Sequence, residues 1–429
     1  MMANREMKNS GIPWIGDIPK DWDVCLIKQI MRNKSIKGYP NEIVLSLYRD
    51  YGVIPKDSRS DNHNVTSEDT SSYKFVEVGD FVINKMKAWQ GSMAVSDYQG
   101  IISPAYYICR FTTNEIDRKY IHSLLRNDTY KAEYMRLSSG MRVGQWDLNI
   151  DDFLRIQMVL PSLSEQTKIA SFLDRKCAEI DEMIDLQEKI VEELKAYKQS
   201  VITEAVTKGL NPAIPMKDSR IEWIGEIPKH WEVGRMKNVC SQNPNSLSEK
   251  TDNDIEFDYV DIGSVSFEKG VFNTEHYKFS EAPSRARRKA NFGDFIMSTV
   301  RTYLRAIDVI DTQEKANYIY STGFAVLTPR AHISYKFLSY ISKSQYFLEQ
   351  VTTLSRGINY PSINSTDLMT ICVAHPSIEE QIQISDYLDA KCTEIDNLIS
   401  IKLSKIDSLK EYKKSIIYEY VTGKKEITL

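Results

Sequence analysis

Hydrophobic residues recur along two separate stretches of the chain with the 4-3 spacing of a heptad repeat. This spacing places them on one side of an α-helix and predicts two long helices that each bury one face, as in a coiled coil. The first stretch runs from Ser162 to Glu204, which is 43 residues, or roughly 65 Å at 1.5 Å per residue. The stripe residues are Leu173, Cys177, Ile180, Ile184, Val191, Leu194, Val201 and Ala205 in the first stretch, and Leu388, Cys392, Ile395, Ile399, Ile406, Leu409, Ile416 and Tyr420 in the second.

The ends of the predicted helices carry capping signals. Ser162 with Glu165, and Ser377 with Glu380, have the spacing of a capping box. In a capping box the Ser hydroxyl and the Glu carboxylate both satisfy free N–H groups of the first turn. Gly209 predicts the end of the first helix, because glycine readily takes the left-handed conformation that terminates helices.

Polar residues interrupt the two stripes at equivalent positions, Gln187 and Lys198 in the first and Lys402 and Lys413 in the second. Polar seam residues weaken a coiled coil but fix its register. A helix can bury so long a stripe only against another helix, and the simplest partner is the other copy. An antiparallel pair would hold the regions attached to it at opposite ends, related by a pseudo-twofold axis. The alternative is a pair of helices that serves only oligomerisation.

The sequence contains an internal repeat. Residues 12–24 (IPWIGDIPKDWDV) recur as residues 221–233 (IEWIGEIPKHWEV), and the Gly-Asp-Phe of residues 79–81 recurs at 293–295. The predicted helices repeat with an offset of 215 residues, including Pro-x-x-x-Glu-Gln and Leu-Asp-x-Lys-Cys-x-Glu-Ile-Asp. A period this long indicates two duplicated domains rather than a solenoid.

The region before each predicted helix mixes short β-like runs with turns, and short helices are expected near 117–137 and 334–350. We therefore predict an α+β fold of two globular domains separated by a pair of long antiparallel coiled-coil helices. The predicted segments are a tail (1–11), a first domain (12–160), a helical spacer (161–210), a linker (211–220), a second domain (221–375) and a second helical spacer (376–429).

Composition describes an ordinary globular chain of 429 residues, 42% hydrophobic and 27% charged, with no uncharged apolar run long enough to span a membrane. The start has no hydrophobic segment typical of a signal peptide. The six cysteines form no CxxC pair, which argues against a zinc site or a disulfide framework and favours the cytoplasm.

The chain has a net charge of −4, and this charge is distributed unevenly. Residues 161–210 hold ten acidic and seven basic residues, and residues 376–429 hold ten and eight. These helical segments therefore carry −3 and −2, and the rest of the chain carries +1. The globular domains are free to present local basic faces.

Catalytic motifs are missing from the sequence. It contains no P-loop, no GxGxxG after a strand, no GxSxG and no HExxH. An adenine methyltransferase would need (Asn/Asp)-Pro-Pro-(Tyr/Phe), to which Asn243-Pro244-Asn245 is the nearest approach. We therefore predict that the chain is not an enzyme.

With these features in hand, the chain resembles the specificity subunit of type I restriction–modification enzymes. The resemblance rests on the Trp-Ile-Gly-(Asp/Glu)-Ile-Pro-Lys-x-Trp openings at 14–22 and 223–231 and on the Gly-Asp-Phe segments. The Pro-x-x-x-Glu-Gln entries at 161–166 and 376–381 and the Leu-Asp-x-Lys-Cys runs are the most specific motifs. Nearly the whole chain is covered, in the expected order.

The resemblance implies a division of labour. Each globular domain would be a target-recognition domain that reads one half of a bipartite sequence in double-stranded DNA, and the helices would set the spacer between the halves. The helices would also dock two methylation subunits, and two restriction subunits with motor activity would complete the enzyme. S-adenosylmethionine, ATP and magnesium are expected on those partners, and no cofactor, metal or membrane is expected on this chain.

Candidate DNA-binding residues follow the Gly-Asp-Phe strand in both copies, because base readout needs hydrogen-bonding side chains and phosphate contacts need Lys or Arg. A second polar loop at 141–146 in the first domain corresponds loosely to 356–360 in the second, and a dense basic run occupies 285–289. The candidates are Lys85, Lys87, Gln90, Arg142 and Gln145 in the first domain, and Arg285, Arg287, Arg288, Arg301, Tyr303, Arg305, Arg356 and Asn359 in the second.

Each candidate also has a plain structural interpretation. Basic clusters are usually solvated faces, and Trp89, Trp146 and Tyr303 are equally compatible with core packing. The repeated Trp14/Trp223 and Trp22/Trp231 are better interpreted as packing residues, and the Asp of Gly-Asp-Phe as turn chemistry. Cys177 and Cys392 are better interpreted as small buried hydrophobic residues.

Two other functions compete with DNA specificity. A duplicated coiled-coil scaffold would organise proteins and show no preference for any DNA sequence. A stand-alone nuclease would cleave DNA with Mg²⁺, but the sequence lacks an obvious constellation of carboxylates for it.

Overall fold

The computed structural model describes residues 5–49, 51–59, 66–67, 69–140 and 146–427. The chain divides into two compact units, Met1–Gln187 with Ser404–Leu429, and Glu188–Leu403. Both division points fall inside the long helices. Each unit therefore combines one globular region with the beginning of one long helix and the end of the other.

The first unit is built mainly from short strands. Its strands are β1 Met7–Asn9, β2 Asp17–Pro19, β3 Asp23–Leu26, β4 Met31–Lys34, β5 Leu45–Tyr48, β6 Gly52–Pro55, β7 Lys74–Val76, β8 Phe81–Asn84, β9 Met93–Val95, β10 Gly100–Ile102, β11 Tyr106–Phe111, β12 Ser138–Ser139, β13 Asp147–Leu148 and β14 Gln157–Leu160. Its helices are α1 Arg118–Leu125, α2 Asp128–Leu137, α3 Ile150–Leu154 and the start of α4 Leu163–Lys208.

A four-stranded antiparallel sheet in the order β4-β11-β8-β9 forms the centre of the first unit. Antiparallel pairs β1-β2, β3-β14, β5-β6, β7-β10 and β12-β13 surround it. The main core lies between one face of this sheet, α1, α2 and both long helices, with Trp22, Tyr120, Tyr130, Tyr134 and Phe153 fully buried.

The second unit repeats this plan, but it has a second four-stranded sheet. Its strands are β15 Met216–Asp218, β16 Glu226–Pro228, β17 Glu232–Arg235, β18 Cys240–Gln242, β19 Glu256–Val260, β20 Val265–Ser266, β21 Gly270–Val271, β22 Glu275–Lys278, β23 Ala286–Lys289, β24 Phe295–Ser298, β25 Ile307–Val309, β26 Ile319–Ser321, β27 Phe324–Pro329 and β28 Cys372–His375. Its helices are α5 Met236–Val239, α6 Gln313–Asn317, α7 Tyr335–Lys343, α8 Gln345–Leu354, α9 Ser365–Leu368 and the start of α10 Ile378–Val421.

The strand orders of the two units correspond. The sheet β18-β27-β24-β25 matches β4-β11-β8-β9, β17-β28 matches β3-β14, and β15-β16 matches β1-β2. The second unit also has a mixed sheet β22-β19-β26-β23 in which β19 and β26 are parallel. The short helices predicted near 117–137 and 334–350 are the pairs α1-α2 and α7-α8.

The predicted stripes face inward along both long helices. None of the sixteen stripe residues is exposed, and Leu173, Ile180, Leu388 and Ile395 are buried almost completely. The first helix continues past the stripe to Lys208 and ends before Gly209, as predicted; the φ of Gly209 is +72°. Cys177 is half-buried and Cys392 is buried, and burial raises the pKa of both thiols.

The two long helices run antiparallel in each unit. In the first unit the Lys413 ammonium lies 2.6 Å from the Asp181 carboxylate, and the rings of Phe172 and Tyr420 are 4.5 Å apart. In the second unit Lys198 pairs with Asp396 at 2.6 Å, and Gly209 lies beside Glu380. Residue numbers rise along one helix while they fall along the other. Because the two ion pairs are equivalent under the 215-residue offset, the repeated Asp and Lys fix the same register twice.

The repeated Glu-Gln pair at the start of each long helix attaches the helix to its globular region. The buried amide of Gln166 accepts a hydrogen bond from the Asp117 backbone N–H (2.8 Å) and donates to the Pro161 carbonyl (2.9 Å). Gln381 makes the same contacts with the Ser334 N–H (2.8 Å) and the Pro376 carbonyl (2.9 Å). Each Gln therefore ties the start of a long helix to the start of α1 or α7.

The predicted capping boxes are only half formed. Ser162 does accept a hydrogen bond from the Glu165 backbone N–H (3.3 Å), as a cap should. The Glu165 carboxylate, however, accepts from the Trp22 indole (3.0 Å) and from the Arg5 guanidinium (2.6 Å). In the second copy the Trp231 indole donates to Glu380 (3.1 Å). A carboxylate gains more from these charged and indole donors than from one backbone N–H.

The repeated aromatic residues have unequal roles. Trp22 and Trp231 are fully buried, which confirms packing for this pair. Trp14 is half-buried, but Trp223 leaves 40% of its surface exposed, so the prediction of packing is wrong for it.

In the part of the chain that the structure describes, no helix is both long and apolar enough to cross a lipid bilayer.

The Asp of each Gly-Asp-Phe segment closes a turn, as predicted. Asp80 accepts from the Glu77 backbone N–H and Asp294 accepts from the Asn291 backbone N–H, both at 2.7 Å. The preceding glycines have φ near +87° and +88°. Burial raises the pKa of both carboxyl groups, and Lys34 lies 2.5 Å from Asp80. These turns direct β8 and β24 into the loops that carry the candidate residues.

Candidate nucleic-acid interface

The two polar loops predicted for the first unit meet beyond the end of β8. The Leu148 backbone N–H donates to the Lys85 carbonyl (3.0 Å), and the indole rings of Trp89 and Trp146 are 5.4 Å apart in an edge-to-face arrangement. Trp89 and Trp146 are half-buried, so they support the loops rather than the core. Two predicted DNA-binding residues of the second loop, Arg142 and Gln145, lie outside the described residues.

The remaining candidates of the first unit differ in their availability. Lys85 is half-buried, and its ammonium lies 3.2 Å from the Asp147 carboxylate. Lys87 is exposed, and it precedes a 3₁₀ turn, Ala88–Gln90, which ends at Gly91 in the left-handed conformation. Gln90 is half-buried. Lys87 is therefore the most accessible of these three side chains.

The corresponding loops of the second unit also meet. The Thr302 N–H donates to the Pro361 carbonyl (3.2 Å), and the hydroxyls of Thr302 and Ser355 are 2.9 Å apart. The Ile363 N–H donates to the Thr299 carbonyl (2.9 Å). The loops at 299–305 and 355–363 therefore form one surface, at the position that the paired loops occupy in the first unit.

Three candidates project from the loop that follows β24. Arg301 and Arg305 are exposed, and so is 58% of Tyr303 between them, which excludes a core role for this ring. The Arg301 guanidinium lies over the ring of Tyr360 (5.2 Å), and that of Arg305 lies near Phe267 (5.9 Å). A cavity of about 410 Å³, lined by Tyr303, Arg305 and residues of α8, lies beside the loop.

The second loop presents both predicted residues and two further exposed side chains that were not predicted. Arg356 and Asn359 are exposed, and Arg356 lies 3.7 Å from Asp367. Between them Ile358 is 99% exposed, and the following Tyr360 is 66% exposed. Ile358 therefore lies on the surface of this loop, beside the two predicted residues. In the sequence, only its position next to predicted residues indicated that Ile358 belongs to this surface.

In the basic run at 285–289, which includes β23, some side chains contact other residues of the unit and others are exposed to solvent. Arg287 lies over the Phe279 ring (4.7 Å), and Arg288 donates to the Ser246 hydroxyl (3.3 Å). Burial lowers the pKa of Arg288. Arg285 is exposed, and its carbonyl accepts from Thr322, next to the Gly323 that binds Thr299. Thr322 and Gly323 thus connect the backbone at Arg285 to the paired loops.

The described residues contain no group of three or more His, Cys, Asp or Glu side chains placed to hold a metal ion. What recurs in both units is a pair of loops, with basic side chains at the end of the same strand. The fold and these loops define a class of protein: two copies of one α+β recognition module, each joined to two long helices. The chain belongs to the family defined by the type I restriction modification DNA specificity domain, whose model matches residues 19–196 and again residues 228–423.

Two similar proteins, both named as specificity subunits, align with this chain over nearly its whole length. The type I restriction enzyme MjaVIII specificity subunit of Methanocaldococcus jannaschii is 26% identical over 425 residues, covering 95% of this chain and 93% of that protein. The putative type I restriction enzyme MjaX specificity subunit of the same organism is 24% identical over 447 residues, covering 96% and 95%. These relatives and the family match confirm the predicted resemblance.

Solved structures agree with the fold. A chain from a structure described as "Structural basis underlying complex assembly and conformational transition of the type I R-M system" has a TM-score of 0.68 at 17% identity, covering 94% of this chain and 98% of that one. The HsdS subunit from Thermoanaerobacter tengcongensis has a TM-score of 0.54 at 16% identity, covering 95% and 98%. The predicted α+β fold, with its internal repeat and long antiparallel helices, is confirmed.

Proposed function

We propose that this chain is the DNA-reading subunit of a type I restriction–modification enzyme. The paired loops of each unit read one half of a bipartite target in double-stranded DNA, and the long helices set the spacer between the halves. The observation that carries the proposal is the recurrence of the loops: the same strand leads into a basic turn in both units, while the side chains differ. A common scaffold with different reading residues fits two unlike half-sites.

The long helices offer equivalent surfaces for two partner subunits. Met183 and Leu186 of the first unit are exposed one turn apart, and Leu398 and Ile401 are their counterparts in the second unit. Tyr412 and Tyr197 form a third exposed pair with the same 215-residue offset. Exposed apolar residues that recur in register indicate contacts with another protein. Two methylation subunits, one on each surface, fit this duplication.

Catalysis is assigned to the partners in this proposal. The sequence carries none of the motifs that hold S-adenosylmethionine or ATP, and the buried Asp80 and Asp294 are engaged in turns. Methyl transfer would use S-adenosylmethionine on the methylation subunits, and two restriction subunits would use ATP and magnesium. This chain then contributes binding energy and geometry to the complex.

Binding selection from random DNA tests the proposal. The full chain, purified with the methylation subunits of its host, is incubated with duplexes that contain a randomised 30-base-pair region. We expect a motif of two short fixed segments separated by a spacer of constant length, and an affinity that falls steeply with salt. Enrichment of no motif at any salt concentration would overturn the proposal and favour the duplicated scaffold.

Docking is tested separately by introducing a charge on the exposed helix surfaces. Leu186→Asp and Ile401→Asp should reduce co-purification of the methylation subunit, each by about half, because each changes one of two equivalent surfaces. Ser200→Asp and Ser404→Asp, at exposed polar positions of the same helices, are the matched controls. Equal co-purification of all four variants would show that the partners bind elsewhere.

A further inference from the structure

The turn that follows β24 has an unusual backbone. Arg301 and Arg305 flank the single 3₁₀ turn Thr302–Leu304, and their φ angles are +51° and +49°. This left-handed region brings Cβ close to the following carbonyl. Glycine adopts it readily and Asn or Asp occasionally, but other residues seldom do. Two arginines hold this conformation within five residues.

The first unit builds the corresponding turn with less strain. Its turn Ala88–Gln90 lies between Lys87, with φ −123°, and Gly91, with φ +79°. An offset of 214 residues, the same that relates β8 to β24, aligns Lys87 with Arg301 and Gly91 with Arg305. Glycine therefore suffices for the backbone of this turn. The presence of Arg305 must reflect what its side chain does.

Contacts with the neighbouring loop and with the turn itself hold the strained conformation in place. The Thr302 N–H binds the Pro361 carbonyl, the Leu304 N–H binds the Arg301 carbonyl (2.9 Å), and the Arg305 N–H binds the Thr302 carbonyl (3.1 Å). Strain that the surrounding structure maintains is typical of functional sites, where it fixes the direction of a side chain before a ligand arrives.

The two guanidinium groups are held but not neutralised. Each lies against an aromatic ring, Arg301 on Tyr360 and Arg305 on Phe267. Within the described parts of the chain, neither group forms a side-chain hydrogen bond or an ion pair with a carboxylate. Among the other candidates, Lys85 pairs with Asp147 and Arg356 with Asp367. The guanidinium N–H donors of Arg301 and Arg305 thus remain available.

We propose that the 301–305 turn is the base-reading element of the second unit and that Arg301, supported by Tyr360, reads a guanine. A guanidinium stacked on a ring keeps its N–H edge free, and that planar fork matches the O6 and N7 acceptors of guanine in the major groove. Arg305 is the second specificity-determining residue, aimed by the other end of the same turn. This inference rests on the proposed function.

Glycine substitutions separate the side chain from the backbone. Arg301→Gly and Arg305→Gly relieve the left-handed strain, so the melting temperature of the free chain should stay unchanged or rise slightly. Binding of the complex to its selected duplex should nevertheless weaken at least tenfold for each variant. Arg220→Gly is the matched control, because Arg220 also has a left-handed φ (+58°) and its counterpart in the first copy, at the 209-residue offset of the repeated opening, is Gly11. Equal affinities of all three variants would overturn the proposal.

Arg301→Lys tests guanine reading itself, because lysine keeps the charge and loses the fork. Binding selection with this variant should lose preference at one guanine of one half-site, while the other half-site and the spacer stay as in the native chain. An unchanged motif would refute guanine reading but leave the proposed function standing. A native chain that selects no motif would instead refute the proposed function, so the two failures are distinguishable.

Discussion

Two buried glutamines explain why the Glu-Gln pair recurs at the start of each long helix. Gln166 and Gln381 have no exposed surface, and each bonds one backbone N–H and more than one carbonyl. These bonds join the start of each long helix to a segment about 50 residues earlier in the sequence. A side chain that only filled the space would leave those backbone groups without partners, and a buried polar group without a partner is costly.

Gln381→Met should therefore destabilise the protein although methionine has a similar volume. We expect the free energy of unfolding to fall by about 2–4 kcal/mol, because the Ser334 N–H and two carbonyls lose their partner. Urea denaturation followed by circular dichroism measures the loss. The control is Gln383→Met, an exposed position in the same helix turn, and an equal effect of both substitutions would show that the buried bonds are not important.

His122 makes the stability of the first unit depend on pH. Burial, and then the charge of Arg126, lower its pKa from 6.5 to about 3. The unfolded chain takes up a proton near pH 6.5 that the folded chain accepts only near pH 3. Stability that is present above pH 6.5 is therefore lost as the pH falls.

Between pH 7 and pH 5 we expect His122 to account for a loss of about 1–2 kcal/mol in unfolding free energy. His122→Gln should remove this part of the pH dependence in urea denaturation at the two pH values. His276→Gln is the control. Its imidazole is exposed, and hydrogen bonding to Asp258 raises its pKa rather than lowering it. A His122→Gln variant with the full native pH dependence would contradict the assignment.

Residue roles were harder to predict from the sequence than residue positions. The motif Ser-x-x-Glu at Ser162 and Ser377 predicts a capping box, and the Ser does cap. The carboxylate of Glu165 binds Trp22, which is 143 residues earlier, and no local pattern can show a partner at that distance. Exposure of Ile358 at the loop tip was equally invisible, because hydrophobicity alone predicts burial.

At the scale of elements, the pairing of the long helices depends on ion pairs as well as on the stripes. Lys413 with Asp181, and Lys198 with Asp396, join positions that the sequence repeats. In the sequence both lysines interrupt the stripe, but no local pattern assigns their partners. The partners follow only from the antiparallel arrangement of the helices, since a parallel arrangement would bring other residues together.

Charge exchange tests this register. Lys413→Glu should destabilise the first unit by roughly 0.5–1 kcal/mol, because it places two negative charges together in a partly solvated site. Adding Asp181→Lys should restore most of the loss, and high salt should reduce both effects. A double-mutant cycle by urea denaturation gives the coupling. Additive losses in the double variant would mean that the two side chains do not interact in solution.

At the scale of the whole molecule, the repeats in the sequence predicted the duplicated fold because the scaffold is what the two copies share. Strand orders, helix pairs and the Gly-Asp-Phe turns all correspond. The mixed four-stranded sheet of the second unit could not be predicted, because the segments between the matching motifs differ in the two copies, and residues 53–72 have no counterpart near 263–286. The positions of the reading loops follow from the repeat, but the contacts and exposure of their side chains do not.

The proposed spacer function depends on the length of the long helices, so insertions should change the spacer in steps. One heptad lengthens a helix by about 10 Å, which corresponds to roughly three base pairs of DNA at 3.4 Å each. Three base pairs also rotate the half-sites by about 100°, since one turn of DNA contains 10–10.5 base pairs. Three heptads lengthen a helix by about 32 Å, close to the 34–36 Å of one full DNA turn.

Inserting three heptads after Gln187 and three after Lys402, which are equivalent points of the repeat, keeps the stripes in phase. Binding selection should then return both native half-sites with a spacer that is about 9–10 base pairs longer. A single heptad at each point should abolish joint binding, because the half-sites come to face different sides of the duplex. A Gly-Ser insertion of equal length at Asn211, in the exposed linker, is the control and should leave the spacer unchanged. If the three-heptad variant selects the native spacer, the helices do not determine the distance between the half-sites.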